Sequence, residues 1–225
     1  MENEKDIKKY WDDAYSGHKT PIKIAKDEIA VENNLDQYIK DYSMHAKKIL
    51  DYGCGITYNL FLAHFSNPNL ELGLGIDPSK NAIDFLRNTS EKSGFKNVSF
   101  EVGDFARMQK IKNEDFDFVI CMNVLDCITK DIMIKTAGEI VRILKKGGVF
   151  LLKVNFYLTP EECKRYHLDP IGDEAYAQKG LFRIAFYKDE YWIKLFTDLG
   201  LKLVKSDEYA RLENGPKDRI FIFKK

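Results

Sequence analysis

The stretch that decides the fold is ILDYGCGITYNL, residues 49–60. In it an apolar pair and an acid are followed by two glycines, Gly53 and Gly55, which bracket Cys54. Glycine adopts backbone angles that other residues avoid, and it has no side chain to hold a ligand away from the main chain. A tight turn between a strand and a helix would use the same glycines. The rest of the chain therefore has to decide between a simple turn and a ligand-binding loop.

From residue 47 onward, short β-branched or aromatic segments alternate with segments of helical period. The predicted strands cover residues 47–52, 70–77, 97–104, 116–125 and 147–154. The predicted helices between them cover residues 57–66, 79–93 and 130–145. Strands that alternate with helices pair in parallel through right-handed crossovers. The sequence thus predicts an α/β fold with a doubly wound, mostly parallel seven-stranded sheet and helices on both faces.

Both ends of the chain add elements to this sheet. A helix over 189–200 precedes two strand-like segments, 201–212 and 218–225, and the ENGP turn between these segments predicts a C-terminal antiparallel hairpin. Residues 4–15 and 35–47 have the apolar spacing of two amphipathic helices. With no repeat or low-complexity linker, we expect one domain over 1–225 with an N-terminal helical cap over 1–46.

Composition narrows the partners and the compartment. Lys plus Arg equals Asp plus Glu at 35 each, so the chain lacks the net positive electrostatic field that attracts a polyanion. No nucleic-acid partner is therefore expected. Four cysteines without a C-x-x-C pair favour reduced thiols in the cytoplasm. No apolar run approaches the roughly 20 residues of a membrane-spanning helix. The sequence does not indicate an oligomeric state.

Two classes of cofactor site use a glycine loop after the first strand of such a sheet. A dinucleotide site requires the motif G-x-G-x-x-G, but this chain has Tyr58 at the position of the third glycine. This difference disfavours a nicotinamide-dependent oxidoreductase. ILDYGCG instead resembles the first motif of the class I S-adenosylmethionine-dependent methyltransferases, an acid, one residue and then G-x-G-x-G. Asp51, Gly53 and Gly55 match this motif, and Thr57 replaces its third glycine. The resemblance implies a Rossmann-like fold, S-adenosylmethionine as cofactor and methyl transfer as the reaction.

The resemblance continues downstream and assigns further cofactor-binding residues. LGIDPS ends the second strand with Asp77, where an acid accepts hydrogen bonds from ribose hydroxyls, although a helix N-cap acid would look the same. FEVGDF closes the third strand with Asp104 and Phe105, which in this family contact the adenine amino group and ring. Asn123 lies where the fourth strand delivers side chains beneath the reacting methyl group. The predicted cofactor-binding set is Asp51, Gly53, Cys54, Gly55, Asp77, Pro78, Asp104, Phe105 and Asn123.

The fourth motif also bears on the methyl acceptor. Methyltransferases that act on exocyclic amines of nucleobases carry a [DNS]-P-P-[YFW] run here, whereas this chain has CMNV, which disfavours base N-methylation. We therefore expect an enzyme that methylates a small-molecule acceptor. The alternatives are a catalytically silent module that binds S-adenosylmethionine or S-adenosylhomocysteine, and a protein or RNA methyltransferase. Cys121 and Cys127 are predicted to be buried thiols without a nucleophilic role.

Residues 155–188 form a connection too long for an ordinary loop. We expect this insertion to close over the acceptor as a lid, together with the N-terminal helix that carries Tyr10 and Trp11; surface padding is the alternative. His167 is its sole histidine and the predicted general base, although a solvated surface histidine would look the same. The four histidines lack metal-ligand spacing, so no metal is expected. The predicted acceptor-binding residues are Tyr157, Tyr166, Tyr176 and Arg183.

Overall fold

The computed structural model of the protein describes residues 2–29, 31–210 and 215–225. Its strands are β1 (Lys48–Tyr52), β2 (Leu72–Asp77), β3 (Val98–Val102), β4 (Phe116–Met122), β5 (Leu144–Val154), β6 (Asp169–Gly172), β7 (Ala175–Gln178), β8 (Leu181–Ala185), β9 (Lys202–Ala210) and β10 (Lys217–Lys224). Its α-helices are α1 (Glu2–Tyr15), α2 (Asn34–Ser43), α3 (Asn59–Ser66), α4 (Lys80–Ser93), α5 (Phe105–Met108), α6 (Lys130–Ile143), α7 (Pro160–Arg165) and α8 (Asp189–Asp198). Short 3-10 turns cover Lys26–Glu28 and Leu125–Cys127.

Seven strands form the central sheet in the order β3-β2-β1-β4-β5-β10-β9. The first five pair in parallel, and β10 pairs antiparallel with both β5 and β9. The chain moves outward from β1 to β3 and then returns to add β4 beside β1. Ligands bind beyond the carboxyl ends of the strands at such a reversal. The predicted doubly wound sheet with an antiparallel C-terminal pair is confirmed.

Both faces of the sheet are covered by apolar residues of the helices. Trp192 and Phe196 of α8 pack with Ile140 of α6 on one face. Phe61 of α3 and Ile83 of α4 belong to the core on the other face. All five side chains are fully buried. The core on both sides therefore fixes where the carboxyl ends of β1, β2 and β4 meet.

The N-terminal helices form where the sequence predicts them, with one difference in length. Helix α2 ends at Ser43, short of the predicted residue 47, because the chain turns there and Lys47 and Lys48 donate backbone hydrogen bonds to Asp117 Oδ2 at 3.0 and 2.8 Å. Within the described ranges, no helix has the length and apolar character that a membrane crossing requires.

The insertion over 155–188 is more regular than its sequence indicates. It consists of helix α7 and a second, three-stranded antiparallel sheet in the order β6-β7-β8. The predicted hairpin of β9 and β10 is present, while Glu213 and Asn214 of its ENGP turn lie outside the described residues.

Candidate functional site

The glycine loop after β1 lies directly against the loop after β4. Gly53 and Gly55 have φ angles of +71° and +49°, in the region that favours glycine. A Cβ on Gly53 would come within 2.1 Å of Val124 Cγ2. The backbone N–H groups of Gly53 and Cys54 both donate to the Ile76 carbonyl, at 2.7 and 3.1 Å. Main chain, rather than side chain, is therefore what this loop presents.

Asp77, at the end of β2, is hydrogen-bonded to this loop. Its Oδ2 accepts from the backbone N–H of Gly55 at 2.9 Å, and its Oδ1 accepts from that of Ser79 at 2.8 Å. The side chain is buried, and burial raises the pKa of Asp77. Each oxygen of a carboxylate can accept more than one hydrogen bond. Asp77 is thus a preoriented acceptor pair at the edge of the loop.

Asp51 lies behind the loop rather than on its surface. Its Oδ2 accepts from the Thr57 hydroxyl at 3.2 Å and from Asn59 Nδ2 at 3.0 Å. Thr57 and Asn59 both line the neighbouring cavity, so Asp51 orients the polar side chains that face it. Burial raises the pKa of Asp51 to about 7.

The glycine loop forms the floor of a cavity of about 490 Å³. The cavity is bordered by residues of α1, α2, the β1, β2 and β4 loops, β5 and β9, namely Ile7, Trp11, Tyr15, Leu35, Asp36, Gly53, Cys54, Gly55, Thr57, Asn59, Asp77, Pro78, Met122, Asn123, Val124, Cys127, Ile128, Lys153 and Tyr209. A second cavity of about 250 Å³ shares Gly53 and Pro78 with it and is largely apolar. Asp104 and Phe105 line this second cavity, which Ile128 and Ile132 close from the other side.

Helix α1 forms one wall of the larger cavity. Trp11 and Tyr15 line it, and a Cβ on Gly55 would come within 2.7 Å of the Tyr15 hydroxyl. Arg183 of β8 lies over the ring of Trp11, with 5.4 Å from its Cζ to the ring centroid. A cation over an aromatic face is attracted by the ring quadrupole. Through Arg183, the small sheet thus contacts α1 where this helix borders the cavity.

A buried polar network forms the wall at the ends of β4 and β5. Lys153 Nζ donates to Asn123 Oδ1 at 2.7 Å and to Asp218 Oδ2 at 2.6 Å. Asn123 Nδ2 in turn donates to Asn155 Oδ1 at 3.1 Å. Asn123 has a φ of +55°, which turns the chain away from β4 at this point. Asn123 and Lys153 both line the larger cavity.

The predicted cofactor-binding residues come together around these two cavities. Gly53, Cys54, Gly55, Asp77, Pro78 and Asn123 line the larger one, and Asp104 and Phe105 line the smaller one. Asp51 is the exception, since Thr57 and Asn59 separate it from the space. The side chain of Asp104 also caps α5 by accepting from the Ala106 N–H at 3.0 Å.

The predicted acceptor-binding residues do not converge in the same way. Arg183 reaches α1, as described, and lines a small cavity of about 130 Å³ beside Trp11. Tyr157 and Tyr176 pack against Phe186 inside the insertion, with ring centroids 6.4 and 5.6 Å apart. Tyr166 is exposed. Arg183 of the insertion thus contacts the α1 wall of the larger cavity, whereas these three tyrosines do not line that cavity.

His167 lies on the exposed surface, at the end of α7, with a φ of +55°. None of the three cavities described above has His167 in its lining. The structure gives no support to a general base at this position, because a base must reach the proton that it removes.

Sequence reasoning missed several residues that border the larger cavity. Lys153 and Tyr209 stand at its far end, and Asp36 of α2 lines it as well. Burial is the main cause that raises the pKa of Asp36. A lysine inside the apolar run VFLLKV was the available signal for Lys153. Tyr15 and Asp36 carried no such signal, since surface helices also contain these residues.

Comparison with known proteins agrees with this geometry. A family model described as a methyltransferase domain matches residues 43–180. The chain belongs to the class I S-adenosylmethionine-dependent methyltransferases. It is 25% identical over 197 residues to human tRNA N(3)-cytidine methyltransferase METTL2B, covering 81% of this chain and 52% of that protein. It is 30% identical over 122 residues to a demethylmenaquinone methyltransferase of Leptospira interrogans, covering 54% of this chain and 45% of that protein.

Solved structures show the same fold. An S-adenosylmethionine-dependent methyltransferase from Methanosarcina mazei matches with a TM-score of 0.68 and 21% identity, over 84% of this chain and 96% of the other. The chain spans about half the length of the first curated relatives that it matches. The family and fold predictions are confirmed.

S-adenosylmethionine is the cofactor of this family, and the residues present fit it. The backbone of Gly53 to Gly55 borders the larger cavity, where the amino-acid part would lie. The buried Asp77 carboxylate offers acceptors suited to a ribose diol. The apolar slot at Phe105, with Asp104 at its edge, suits a flat purine. Within the described residues, no group of three His, Cys, Asp or Glu is placed to hold a metal ion.

Proposed function

We propose that this protein transfers the methyl group of S-adenosylmethionine to a small polar acceptor. The acceptor binds at the end of the larger cavity that Asn123, Lys153 and Tyr209 border. The observation that carries the proposal is that one cavity is bordered both by the glycine loop and by the polar side chains of Asn123, Lys153 and Tyr209. Its volume of about 490 Å³ falls within the usual range of small-molecule sites.

The arrangement of the walls supports a small acceptor. Helices α1 and α2 border the cavity from one side through Trp11, Tyr15 and Leu35. At the far end, α2 is tied to β9, because Asn34 Nδ2 donates to the Glu208 carbonyl at 2.7 Å. These contacts restrict access for a large substrate.

When bound, the cofactor supplies a methyl group on a positively charged sulfur. The chain's own task is to hold donor and acceptor in line and to keep water out, which supplies much of the rate enhancement of such reactions. Gly53 to Gly55 and Asp77 would hold the cofactor, while Asn123 and Lys153 would hold the acceptor. Trp11 and Tyr15 would close the space above them. In this proposal residues 1–46 serve as a cap on a single domain.

A nucleobase of tRNA is the second candidate acceptor. It is favoured by the likeness to METTL2B over 81% of this chain. The ring nitrogen N3 of cytidine is not an exocyclic amine, so the absence of a [DNS]-P-P-[YFW] run at CMNV does not argue against it. The balance of 35 basic and 35 acidic residues disfavours a polyanion. The small acceptor therefore remains the first candidate.

Methyl transfer with radiolabelled S-adenosylmethionine would decide between the two. The purified protein would be incubated in parallel with a small-molecule extract and with unmodified tRNA. We expect label in the small-molecule fraction, and less of it with the Asp77→Asn variant at the same cofactor concentration. Label in tRNA alone would replace the first candidate by the second. Cofactor binding without transfer to either pool would indicate a catalytically silent binding module.

A further inference from the structure

The amide of Asn123 has a fixed orientation, and Lys153 sets it from one side. An ammonium group has only hydrogen-bond donors. The Asn123 atom that lies 2.7 Å from Lys153 Nζ must therefore be the carbonyl oxygen, Oδ1. Asp218 holds the ammonium in place from the other side at 2.6 Å. The side chains of Lys153 and Asp218 are 6% and 1% exposed, so water competes little for these bonds.

The opposite end of the network gives the same orientation independently. Asp126 Oδ2 accepts from the backbone N–H of Asn155 at 2.7 Å, so this oxygen is an acceptor. It also lies 2.8 Å from Asn155 Nδ2, which must then be the donating nitrogen of that amide. The other amide atom of Asn155 is its oxygen, which accepts from Asn123 Nδ2 at 3.1 Å. Two anchors of opposite polarity thus point the Asn123 amide in the same direction.

This orientation decides what the cavity wall offers to a ligand. The Asn123 amide nitrogen has two protons, and one of them goes to Asn155. Asn123 and Lys153 both border the cavity. A ligand N–H or O–H that approached Asn123 Oδ1 would be brought against the Lys153 ammonium. The Asn123 amide therefore offers a donor at this wall, with the Lys153–Asp218 ion pair behind it and the ammonium nearer to the amide.

Stability alone does not account for this network. A buried ion pair adds little over a well-packed apolar pair, because both charges lose their hydration. Lys153 lies in β5 between fully buried Leu152 and Val154, whose side chains point to the opposite face of the sheet, and it borders the cavity instead. The lysine is better explained by the surface that it creates.

We propose that Asn123 and Lys153 select methyl acceptors that present an oxygen lone pair, a carbonyl or a carboxylate, beside the atom to be methylated. Asn123 contacts that oxygen, and Lys153 is a positioning residue that acts through the Asn123 amide. This inference rests on the proposed function, because it assigns the acceptor class of the same site.

The test measures binding and needs no turnover. Protein saturated with S-adenosylhomocysteine and labelled with ¹⁵N at asparagine would be titrated with acetate, acetamide and methylammonium, and the Asn123 side-chain signal would be followed by NMR. We expect acetate and acetamide to shift this signal saturably and methylammonium to leave it unchanged. Tighter binding of acetate would identify a carboxylate, and equal binding a carbonyl. A response to methylammonium alone, or to none of the three, would overturn the proposal.

Two variants separate positioning from structural support. Asn123→Asp keeps an oxygen for Lys153 but has no N–H, so we expect acetate affinity, read by calorimetry, to fall about tenfold, the worth of one hydrogen bond. Lys153→Met removes one of the two anchors of the amide and the ammonium charge behind it, so the preference for acetate over methylammonium should fall. If the buried Asp218 then prevents folding, Lys153→Met with Asp218→Asn removes both charges.

Lys145→Met is the matched control. Lys145 also lies in β5 and pairs with Asp117 at 2.7 Å, but it does not border the larger cavity. A general loss of structure would weaken all ligands alike and leave the preference unchanged. A folded Lys153 variant that keeps the full preference for acetate would contradict the positioning role. Methyl transfer could fail altogether without altering these binding results, so the two proposals fail separately.

Discussion

Asp12 of α1 accepts a hydrogen bond from the hydroxyl of Ser79, with 2.8 Å between the two oxygens. The same carboxylate oxygen accepts from the backbone N–H of Asn81 at 3.0 Å, at the first turn of α4. These bonds lower the pKa of Asp12, the Asn81 bond most. Ser79 lies two residues beyond Asp77 and donates its backbone N–H to it. The N-terminal helix is therefore tied to the segment that carries Asp77, the predicted ribose acceptor.

We expect the change Asp12→Ala to weaken binding of S-adenosylhomocysteine by about 1 to 2 kcal/mol, because two hydrogen bonds that hold α1 over the cavity are lost. Calorimetry would give the affinity, and hydrogen exchange should rise along α1. Asp13→Ala is the matched control, since Asp13 is exposed and its side chain pairs only with Lys9 among the described residues. Equal affinities of the two variants would show that α1 does not contribute to the site.

Asp77→Asn should weaken cofactor binding by about 1 to 3 kcal/mol, because an acceptor oxygen becomes a donor in a buried position. The new amide would also face the N–H of Gly55 or of Ser79. Asp84→Asn provides the control, since Asp84 forms an exposed pair with Lys80 on α4. Calorimetric titration with S-adenosylhomocysteine measures both. Unchanged affinity in Asp77→Asn would place the ribose elsewhere.

Gly53→Ala should destabilise the fold more than Gly94→Ala. Both glycines have positive φ angles, +71° and +81°, so both substitutions cost about 1 to 2 kcal/mol of backbone strain. A Cβ at residue 94 would meet nothing within 4 Å, whereas at residue 53 it would lie 2.1 Å from Val124 Cγ2. The difference in the free energy of unfolding by urea isolates the clash. Equal losses would mean that Val124 moves aside freely.

The affinity for S-adenosylmethionine should rise with pH around neutrality. Burial raises the pKa of Asp51 to about 7, and a cationic ligand nearby favours its ionised form, so binding releases protons. Affinity should therefore increase from about pH 6 to about pH 8, and S-adenosylhomocysteine, which lacks the sulfonium charge, should respond less. Calorimetry at several pH values checks this slope. Asp51→Asn should flatten it, and a slope that persists in this variant would assign the proton to another group.

The raised pKa of Asp51 also predicts how the free energy of unfolding changes with pH. The native state keeps a proton on Asp51 that the unfolded chain releases above its ordinary pKa of 3.8. The free energy of unfolding should therefore fall as pH rises from about 4 to about 7 and then level off. Urea titrations of the wild type and of Asp51→Asn would show whether this fall depends on Asp51.

The parallel strands were predictable because their sequences are short, apolar and bounded by turns. β1, β2 and β4 begin within two residues of the predicted positions. The small sheet was not predictable in the same way, since β6 is exposed throughout and has no apolar alternation. Gly172 and Gly180, with φ angles of +95° and +79°, lie at its two turns, but two glycines do not by themselves predict a sheet.

The grouping of residues at the glycine loop could be predicted from the sequence, and the grouping at the polar wall could not. Gly53, Asp77 and Asp104 each stand at a strand end, where topology alone brings them together. Lys153 and Asp218 lie 65 positions apart, on β5 and β10, and meet because these strands pair. A single sequence does not show which charged residues of two strands will face each other. The prediction for His167 rests on its residue type and its place in the insertion, and neither determines where a side chain points.

The position of β10 between β5 and β9 has a consequence for synthesis. Strand β9 is made before β10, yet it pairs in the sheet with β10 alone among the described strands. During translation, residues 202–210 therefore remain unpaired until residues 217–224 leave the ribosome. Over the same period one edge of β5 is also unpaired. Contacts that close so late slow folding and leave unpaired edges exposed to other chains. Nascent chains stalled before residue 217 should therefore be the ones that chaperones bind and proteases cut.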